Sequence, residues 1–351
     1  MPVVNSKVAT RVAVVGASGY AGEELVRLLL AHPRVNLTAV TSRQSAGKSL
    51  AEVFPRFAHQ ARAQALAFSD PDLAKISQLA EVAFLALPHG VSAEAGAELL
   101  GQGLRVIDLS ADFRIRDAAV YKEFYGKDHP APHLLKRAVY GLPEVYRKQI
   151  RGAELVASPG CYPTSILLPV LPLLRAGVID VTEILVASLS GVTGAGRKIE
   201  ADYLFAECHE SMRPYGLPRH RHLSEIEQEL SLAAQEKVTI QFTPHLVPVN
   251  RGIVSTIYLG LTKRIEAAAV EAIYQQAYSQ EPFVRLLANN RLPDTKNVAN
   301  TNFIDIAWRL DGRTGRLVVL SAIDNLTKGT SGQAVQCFNL MCGYPETVGL
   351  L

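Results

Sequence analysis

A cysteine, a His-Arg-His triplet and a turn punctuated by glycines are the residues of this chain whose types and spacing can do chemistry. Cys161 stands in Ser158-Pro159-Gly160-Cys161-Tyr162-Pro163-Thr164-Ser165, directly ahead of the run Ile166–Leu174. Pro163 suits the first turn of a helix, so the cysteine is expected at a helix N-terminus. The exposed N–H groups and the dipole there lower a thiol pKa and can bind an oxyanion, and Gly160 leaves room for a substrate. A thiolate so placed is a nucleophile. His220-Arg221-His222 precedes Ser224 and Glu227, which match a capping box, so both histidines are expected just before a helix start. The positive end of that helix disfavours imidazolium and keeps a histidine neutral, able to serve the cysteine as base. Arg221 between them suits an anion. The alternative is one exposed and one structural histidine.

The second constellation is a dinucleotide turn. Gly16, Gly19 and Gly22 lie between the strand-like run Arg11–Val15 and a helical pattern over Glu23–Ala31, in which Leu25, Leu28 and Leu29 share a face. Glycines let backbone approach a pyrophosphate, whose charge rests on the helix N-terminus; a tight turn that binds nothing is the alternative. The expected contacts on the turn are Gly16, Ser18, Gly19, Tyr20, Ala21 and Gly22. The second strand, Val35–Thr41, runs into Ser42 and Arg43 where an NAD site would carry an acid for the ribose. Ser42 can donate to a phosphate and Arg43 can neutralise it, which favours NADP; a solvated surface arginine is the other reading. Pro88 and His89, after the run Val82–Leu87, lie where the cofactor should pass; a turn residue only is the other reading of His89.

Other candidates carry two readings each. Arg114, in Ser110-Ala111-Asp112-Phe113-Arg114, can clamp a carboxylate or phosphate, or pair with Asp112. The loop Gly191–Lys198 lines a cleft or is mobile, with Gly191 a candidate cofactor contact. Asn325 bonds a nicotinamide carboxamide or helps cap the last helix. Cys208, Cys337 and Cys342 read as small buried apolar residues. Cys337 and Cys342 have no second ligand pair nearby, so no metal site is expected.

These residues need a frame. Strand, turn, helix and strand in the first 41 residues make a βαβ unit and imply a parallel sheet, continued by a helix over Ala93–Leu100, a strand over Arg105–Leu109 and a short strand over Glu154–Ala157. Lys122–Tyr146 reads as irregular. Beyond Cys161 come a helix to about Ala176, long strands over Glu183–Leu189, Val238–Thr243 and Arg251–Leu261, a hairpin of Ile304–Leu310 with Leu317–Ile323, and a closing helix over Thr327–Met341. The boundary therefore falls near Cys161, between a doubly wound domain and an α+β domain built on a largely antiparallel sheet.

Composition is that of an ordinary globular protein. The 351 residues are 48% hydrophobic and 20% charged with a net charge of +3, and no basic run points to nucleic acid. The N-terminus lacks a signal-peptide pattern, no stretch is long and apolar enough for a membrane span, and four scattered cysteines make no disulfide scaffold. A cytoplasmic setting is expected.

The motifs converge. GASGYAGEELVRLL (16–29), LPHG (87–90), DLSADFR (108–114), SPGCYPT (158–164), SGVTGAGRK (190–198), HRHLSEIEQEL (220–230) and DNLTKGTSGQA (324–334) together resemble the N-acetyl-γ-glutamyl-phosphate reductase family over nearly the whole chain. The resemblance implies a Rossmann-like NADP-binding domain, residues 1–160 and 327–351, and an α+β catalytic domain of the glyceraldehyde-3-phosphate dehydrogenase-like type, residues 161–326. It implies NADPH-dependent reduction of an acyl phosphate to a semialdehyde through a thioester on Cys161. His220 would move the proton, and His222, Arg221 and Arg114 would hold the substrate. It also implies a homo-oligomer, dimer or tetramer, acting on a small molecule. A related reductase class acts on a carrier-protein-linked aminoadipyl phosphate in lysine biosynthesis and is the nearest rival. An aspartate-semialdehyde dehydrogenase should differ around the cysteine. A non-catalytic NADP sensor would need no activated thiol, and a cysteine hydrolase would need no dinucleotide turn.

Overall fold

A computed structural model describes residues 9–197, 199–288 and 290–351. The chain divides into two compact units. The first comprises residues up to Ala118, Asp128–Ser158 and Ser331–Leu351; the second comprises Ala119–Lys127 and Pro159–Thr330. Residues 119–127, placed with the first domain by the sequence reading, thus go with the second unit.

The first unit holds seven parallel strands: β1 (Thr10–Val15), β2 (Val35–Thr41), β3 (Phe68–Ser69), β4 (Val82–Leu85), β5 (Arg105–Asp108), β6 (Val139–Tyr140) and β7 (Leu155–Ala157). Their order is β3-β2-β1-β4-β5-β7-β6. The order reverses between β1 and β4, where such a sheet opens a crevice at its carboxyl edge. Both faces are covered, so β4 is buried at all four positions and reads as a continuous apolar run. The last helix, Gly332–Met341, is buried along its whole length and packs Phe338 against Phe84 of β4, ring centroids 5.8 Å apart.

The second unit is built on a mixed sheet of β8 (Ile179–Gly191), β9 (Arg213–Pro214), β10 (Gln241–Val247), β11 (Ile253–Leu261), β12 (Val284–Leu286), β13 (Ile304–Asp311) and β14 (Arg316–Ile323), in the order β12-β13-β14-β11-β8-β10-β9. The hairpin expected around Gly312 is β13–β14. β10 begins three residues later than its apolar run suggests and pairs parallel to β8.

Against this sheet lies the helix Cys161–Arg175, buried on all sides from Tyr162 to Leu174. It contains Pro169 and Pro172. A proline supplies no N–H, so the carbonyl four residues earlier loses its partner. Side-chain hydroxyls take over: Ser321 Oγ donates to Ser165 O at 2.6 Å, and Tyr278 OH donates to Leu168 O at 2.5 Å. The helix that presents Cys161 is therefore pinned to β14 and to the helix Ala267–Tyr278 by its own prolines.

Candidate active site

Cys161 is the first residue of that helix, and no side chain caps Gly160 before it. Its side chain therefore sits among the N–H groups that favour an anion. Glu225, fully buried, reaches back so that Oε1 accepts the Gly160 N–H at 2.9 Å. On the other side Gly329 presses on the cysteine: a Cβ at that position would lie 2.8 Å from Cys161 Cβ. Gly329 belongs to a π-helical turn, Thr327–Ser331, which replaces the first turn of the closing helix expected from sequence. Such turns recur at functional sites.

A cavity of about 320 Å³ opens over Cys161, lined also by Tyr162, Gly191, Tyr215, His220, Arg221 and His222. His220 sits in an aromatic cage, its ring centroid 5.4 Å from Tyr162, 5.5 Å from Tyr215 and 5.6 Å from Phe242. The His222 ring is 5.0 Å away. Burial, reinforced by the Arg221 guanidinium, pushes the His220 pKa down to about 4. Its Nδ1 accepts the backbone N–H of His222 at 3.1 Å. Tyr162 and Tyr215 hydroxyls share a hydrogen bond of 2.8 Å, and burial lifts Tyr215 to about 12 and Tyr162 higher still. Arg213 and Arg219 extend the basic wall, with Glu200 and Asp202 among the residues opposite in charge. Arg219 is held by Glu123 and lies 4.9 Å over the Phe124 ring, which ties residues 119–127 to this unit.

The first unit has a cavity of its own, about 480 Å³, at the β1–β4 crevice. Gly16, Ser18, Gly19, Ser42, Arg43 and Pro88 line it. Gly16 has φ +89°, and a Cβ there would meet Ala86 O at 2.7 Å, whereas one at Gly19 would meet nothing within 4 Å. The turn is closed toward the sheet and open at the start of the helix Tyr20–Ala31, a cradle suited to a pyrophosphate. Ser42 Oγ donates to Ser18 Oγ at 2.9 Å, while Arg43 is exposed.

Sequence comparison places these sites in a family. A "Semialdehyde dehydrogenase, NAD binding domain" matches residues 11–153, and a "Semialdehyde dehydrogenase, dimerisation domain" matches residues 161–325. The N-acetyl-gamma-glutamyl-phosphate reductase of Akkermansia muciniphila is 56% identical over 97% of this chain and 98% of its own. That of Pelobacter propionicus is 52% identical over 97% of both. The chain belongs to the N-acetyl-gamma-glutamyl-phosphate reductase family. In fold it is similar to aspartate semialdehyde dehydrogenase II from Vibrio cholerae, with TM-score 0.74 at 17% identity over 96% of this chain and 99% of that one.

Not every site residue expected of a reductase of this family lines a cavity. Arg114 is buried in the first unit, with Nε donating to Ser158 O at 2.6 Å and Nη2 to Leu109 O at 2.8 Å. It ties the ends of β5 and β7. Tyr20, Ala21 and Gly22 form the helix start behind the turn; a Cβ on Gly22 would meet Ala17 O at 2.6 Å. His89 Nδ1 accepts the Ala111 N–H at 3.1 Å. Asn325 is buried, its Oδ1 accepting Gly252 N–H at 2.8 Å and its Nδ2 donating to Thr193 at 3.0 Å, so it braces the Gly191 turn and caps no helix. Lys198 lies outside the described residues.

The capping box is also corrected. The helix starts at His222, Ser224 Oγ donates to Arg221 O at 3.0 Å, and Glu227 accepts Ile240 N–H. His220 alone precedes the helix. Tyr162, Tyr215, Glu225 and Gly329 were not singled out from sequence. Tyr162 stands inside SPGCYPT, and Glu225 was hidden in a segment read as a polar helix start.

The turn Pro88–Gly90 depends on one buried carboxylate. Asp112 accepts N–H bonds from Gly90 and Ala93, at 2.6 and 2.9 Å, at the start of the helix Val91–Gly101. Asp112→Ala leaves buried donors unmet and is expected to cost about 3 kcal/mol. Thermal denaturation reads the loss, and a dinucleotide titration reads the loosening of the turn.

Proposed function

We infer that the protein reduces N-acetyl-γ-glutamyl phosphate to N-acetylglutamate semialdehyde and phosphate with NADPH, the reductive step of this route in arginine biosynthesis. The observation that carries the site assignment is Cys161 at an uncapped helix N-terminus, in one cavity with His220, His222 and Arg221. Cys161 attacks the acyl carbon, phosphate leaves, and a thioester forms on the sulfur. NADPH, when bound, supplies the hydride that takes the thioester to the aldehyde level. Arg221, Arg213 and His222 hold the substrate's anionic groups against the basic wall, and His220 faces the reacting oxygen. The carrier-linked alternative is not favoured: curated relatives spanning 97% of this chain carry the N-acetyl-gamma-glutamyl name.

The reaction run backwards is the test. N-acetylglutamate semialdehyde, phosphate and NADP should give absorbance at the NADPH band only when all three are present. Absence of signal from protein that binds NADP rejects this substrate.

For the cofactor, Gly16, Ser18, Gly19 and Pro88 shape the cradle, and Ser42 with Arg43 faces the 2′-phosphate. Arg43→Ala is expected to raise the NADPH KM roughly 10- to 100-fold, the value of a charge-assisted contact, and to leave the NADH KM unchanged. Steady-state kinetics with both cofactors checks this.

The second sheet supports self-association. Leu185 on β8 and Tyr258 on β11 are cross-strand neighbours and are 40% and 42% exposed, while the alternate positions Ile184, Val186 and Ile257 are buried against the helices. We place a homodimer contact on this open face, in keeping with the dimerisation domain that matches this region. Among the described residues no helix is long and apolar enough to cross a membrane. None of the four cysteines is in a disulfide, which supports a cytoplasmic location.

A further inference from the structure

We propose that Asp108 is a positioning residue of the dinucleotide site, acting through Ser92 and Ser110 on the turn Pro88–Gly90, and that it takes up a proton when NADP binds. This rests on reading the first unit's cavity as the cofactor site.

The geometry is a pair of buried carboxylates joined by one hydroxyl. Asp108 ends β5, Asp112 lies in the loop that follows, and both are fully buried. Ser110 Oγ donates to Asp108 Oδ2 at 2.7 Å and accepts the Asp112 N–H at 3.1 Å. Asp108 Oδ1 accepts the Ser110 N–H at 3.0 Å and the Ser92 hydroxyl at 2.5 Å. The second is the length of a bond to a charged oxygen. Ser92 stands in the first turn of the helix Val91–Gly101, and its own N–H donates to Pro88 O at 3.2 Å. Pro88, Val91 and Glu94 line the cavity. Asp108, buried behind them, acts through the residues that form the wall.

Of the two carboxylates, Asp108 is placed to change its charge. Asp112 answers the backbone N–H groups of Gly90 and Ala93 at a helix N-terminus, where negative charge is favoured. Among the described residues Asp108 is held by two serine hydroxyls and one N–H, with no cation bonded to it. Its strand neighbours, Leu85 on β4 and Ala157 on β7, are uncharged. The other titratable and charged groups around this loop are His89, Arg114 and His129. His89 accepts the Ala111 N–H, and Arg114 donates to the Ser158 and Leu109 carbonyls. His129 donates from Nε2 to Asp112 O and accepts the Ala131 N–H at Nδ1, so its ring is neutral. Burial, with the Asp112 charge added, pushes the Asp108 carboxyl up to about 6.

NADP carries phosphate charge into this cavity. Like charges on the two sides of a buried wall repel, so a bound dinucleotide favours the protonated carboxyl. By reciprocity the protonated carboxyl favours the dinucleotide. The proton comes from solvent and is shared with Ser92, so the bonds that fix the helix start are kept.

The test compares wild type with Asp108→Asn, a neutral copy of the protonated acid, in the full chain. Without cofactor, protein labelled with ¹³C at the aspartate carboxyls should show one signal that titrates near pH 6 and is missing from the variant. The NADP affinity of wild type relative to the variant, read by titration calorimetry, should rise roughly three- to tenfold from pH 8 to pH 5, the scale of one unit charge at about 10 Å. The 2′-phosphate of the cofactor titrates in the same range, and the ratio cancels it. Near pH 6.5, binding should take up about 0.3–0.5 proton more in wild type than in the variant. Ser92→Ala removes a bond that favours the ionised form and should move the ¹³C midpoint upward, which keeps the test decisive if the asparagine variant does not fold. An affinity ratio constant from pH 5 to pH 8 leaves Asp108 a merely structural residue and overturns the inference, as does a spectrum without that titration. If folded wild type binds no NADP at any pH, the reading of the cavity fails and the linkage with it, and the ¹³C titration then reports on the carboxyl pair by itself.

Discussion

Cys161→Ser should lower phosphate-dependent NADPH formation by about 10⁴-fold or more, the scale seen when a covalent nucleophile is removed. Serine preserves shape and the hydrogen-bonding frame, so Tm and NADP affinity should stay as they are. What changes is the sulfur. An alcohol at the same helix N-terminus remains protonated at neutral pH, while a thiol there is placed to ionise. An oxygen ester is also a poorer hydride acceptor than a thioester, and its alkoxide is a poorer leaving group. Stopped-flow absorbance after mixing semialdehyde, phosphate and NADP reads the effect. Residual activity within 100-fold of wild type would remove Cys161 from the covalent step. Iodoacetamide offers an independent check: Cys161 is partly accessible, whereas Cys337 is fully buried with its Sγ donating to Gly141 O at 3.3 Å.

Much of this arrangement was legible in the sequence, for reasons that can be named. The Cys161 helix start follows from local rules, since Gly160, Pro163 and an unbroken apolar run allow little else. The βαβ turn is equally local. What sequence hid is mostly side-chain direction. Arg114 stands on the carboxyl edge, where an arginine can face a ligand, and the Ser158 and Leu109 carbonyls accept from its Nε and Nη2. Ser224 and Glu227 have the spacing of a capping box, but tertiary partners, Arg221 O and Ile240 N–H, compete for them. The stretch Lys122–Tyr146, rich in Tyr, His and Pro, reads as irregular, yet its first residues close the helix Ala118–Tyr125. Its placement is set by contacts distant in sequence, Glu123 and Phe124 with Arg219. Glu225 illustrates the general limit: a glutamate in a helix gives no sign in sequence that it will be buried against Gly160 N–H.

Gly329 yields the second large effect, and its logic is steric. A methyl at this position would lie 2.8 Å from Cys161 Cβ and 3.2 Å from both Cys161 Cα and Ile323 Cδ1. Neither side can yield easily. Glu225 and the proline-pinned helix fix the cysteine, and Gly329 N–H bonds Asp324 O at 2.9 Å within the π-helical turn. Lys328, next in the chain, is fully buried with Nζ 5.7 Å over the Phe283 ring and anchors the turn further. Gly329→Ala must therefore displace Cys161. A misplacement near 1 Å costs about 10²-fold in rate, and overpacking costs about 1–3 kcal/mol in stability. The expected signature is kcat down about 100-fold, with Tm lower by a few degrees. NADP affinity should hold within a factor of two, since the dinucleotide cradle lies in the other unit. The rate of Cys161 alkylation should change together with kcat. Gly312→Ala is the control, because a Cβ there meets nothing within 4 Å. Should Gly329→Ala retain kcat within threefold of wild type, the turn yields to the methyl, and its contact with Cys161 plays no part in setting the nucleophile.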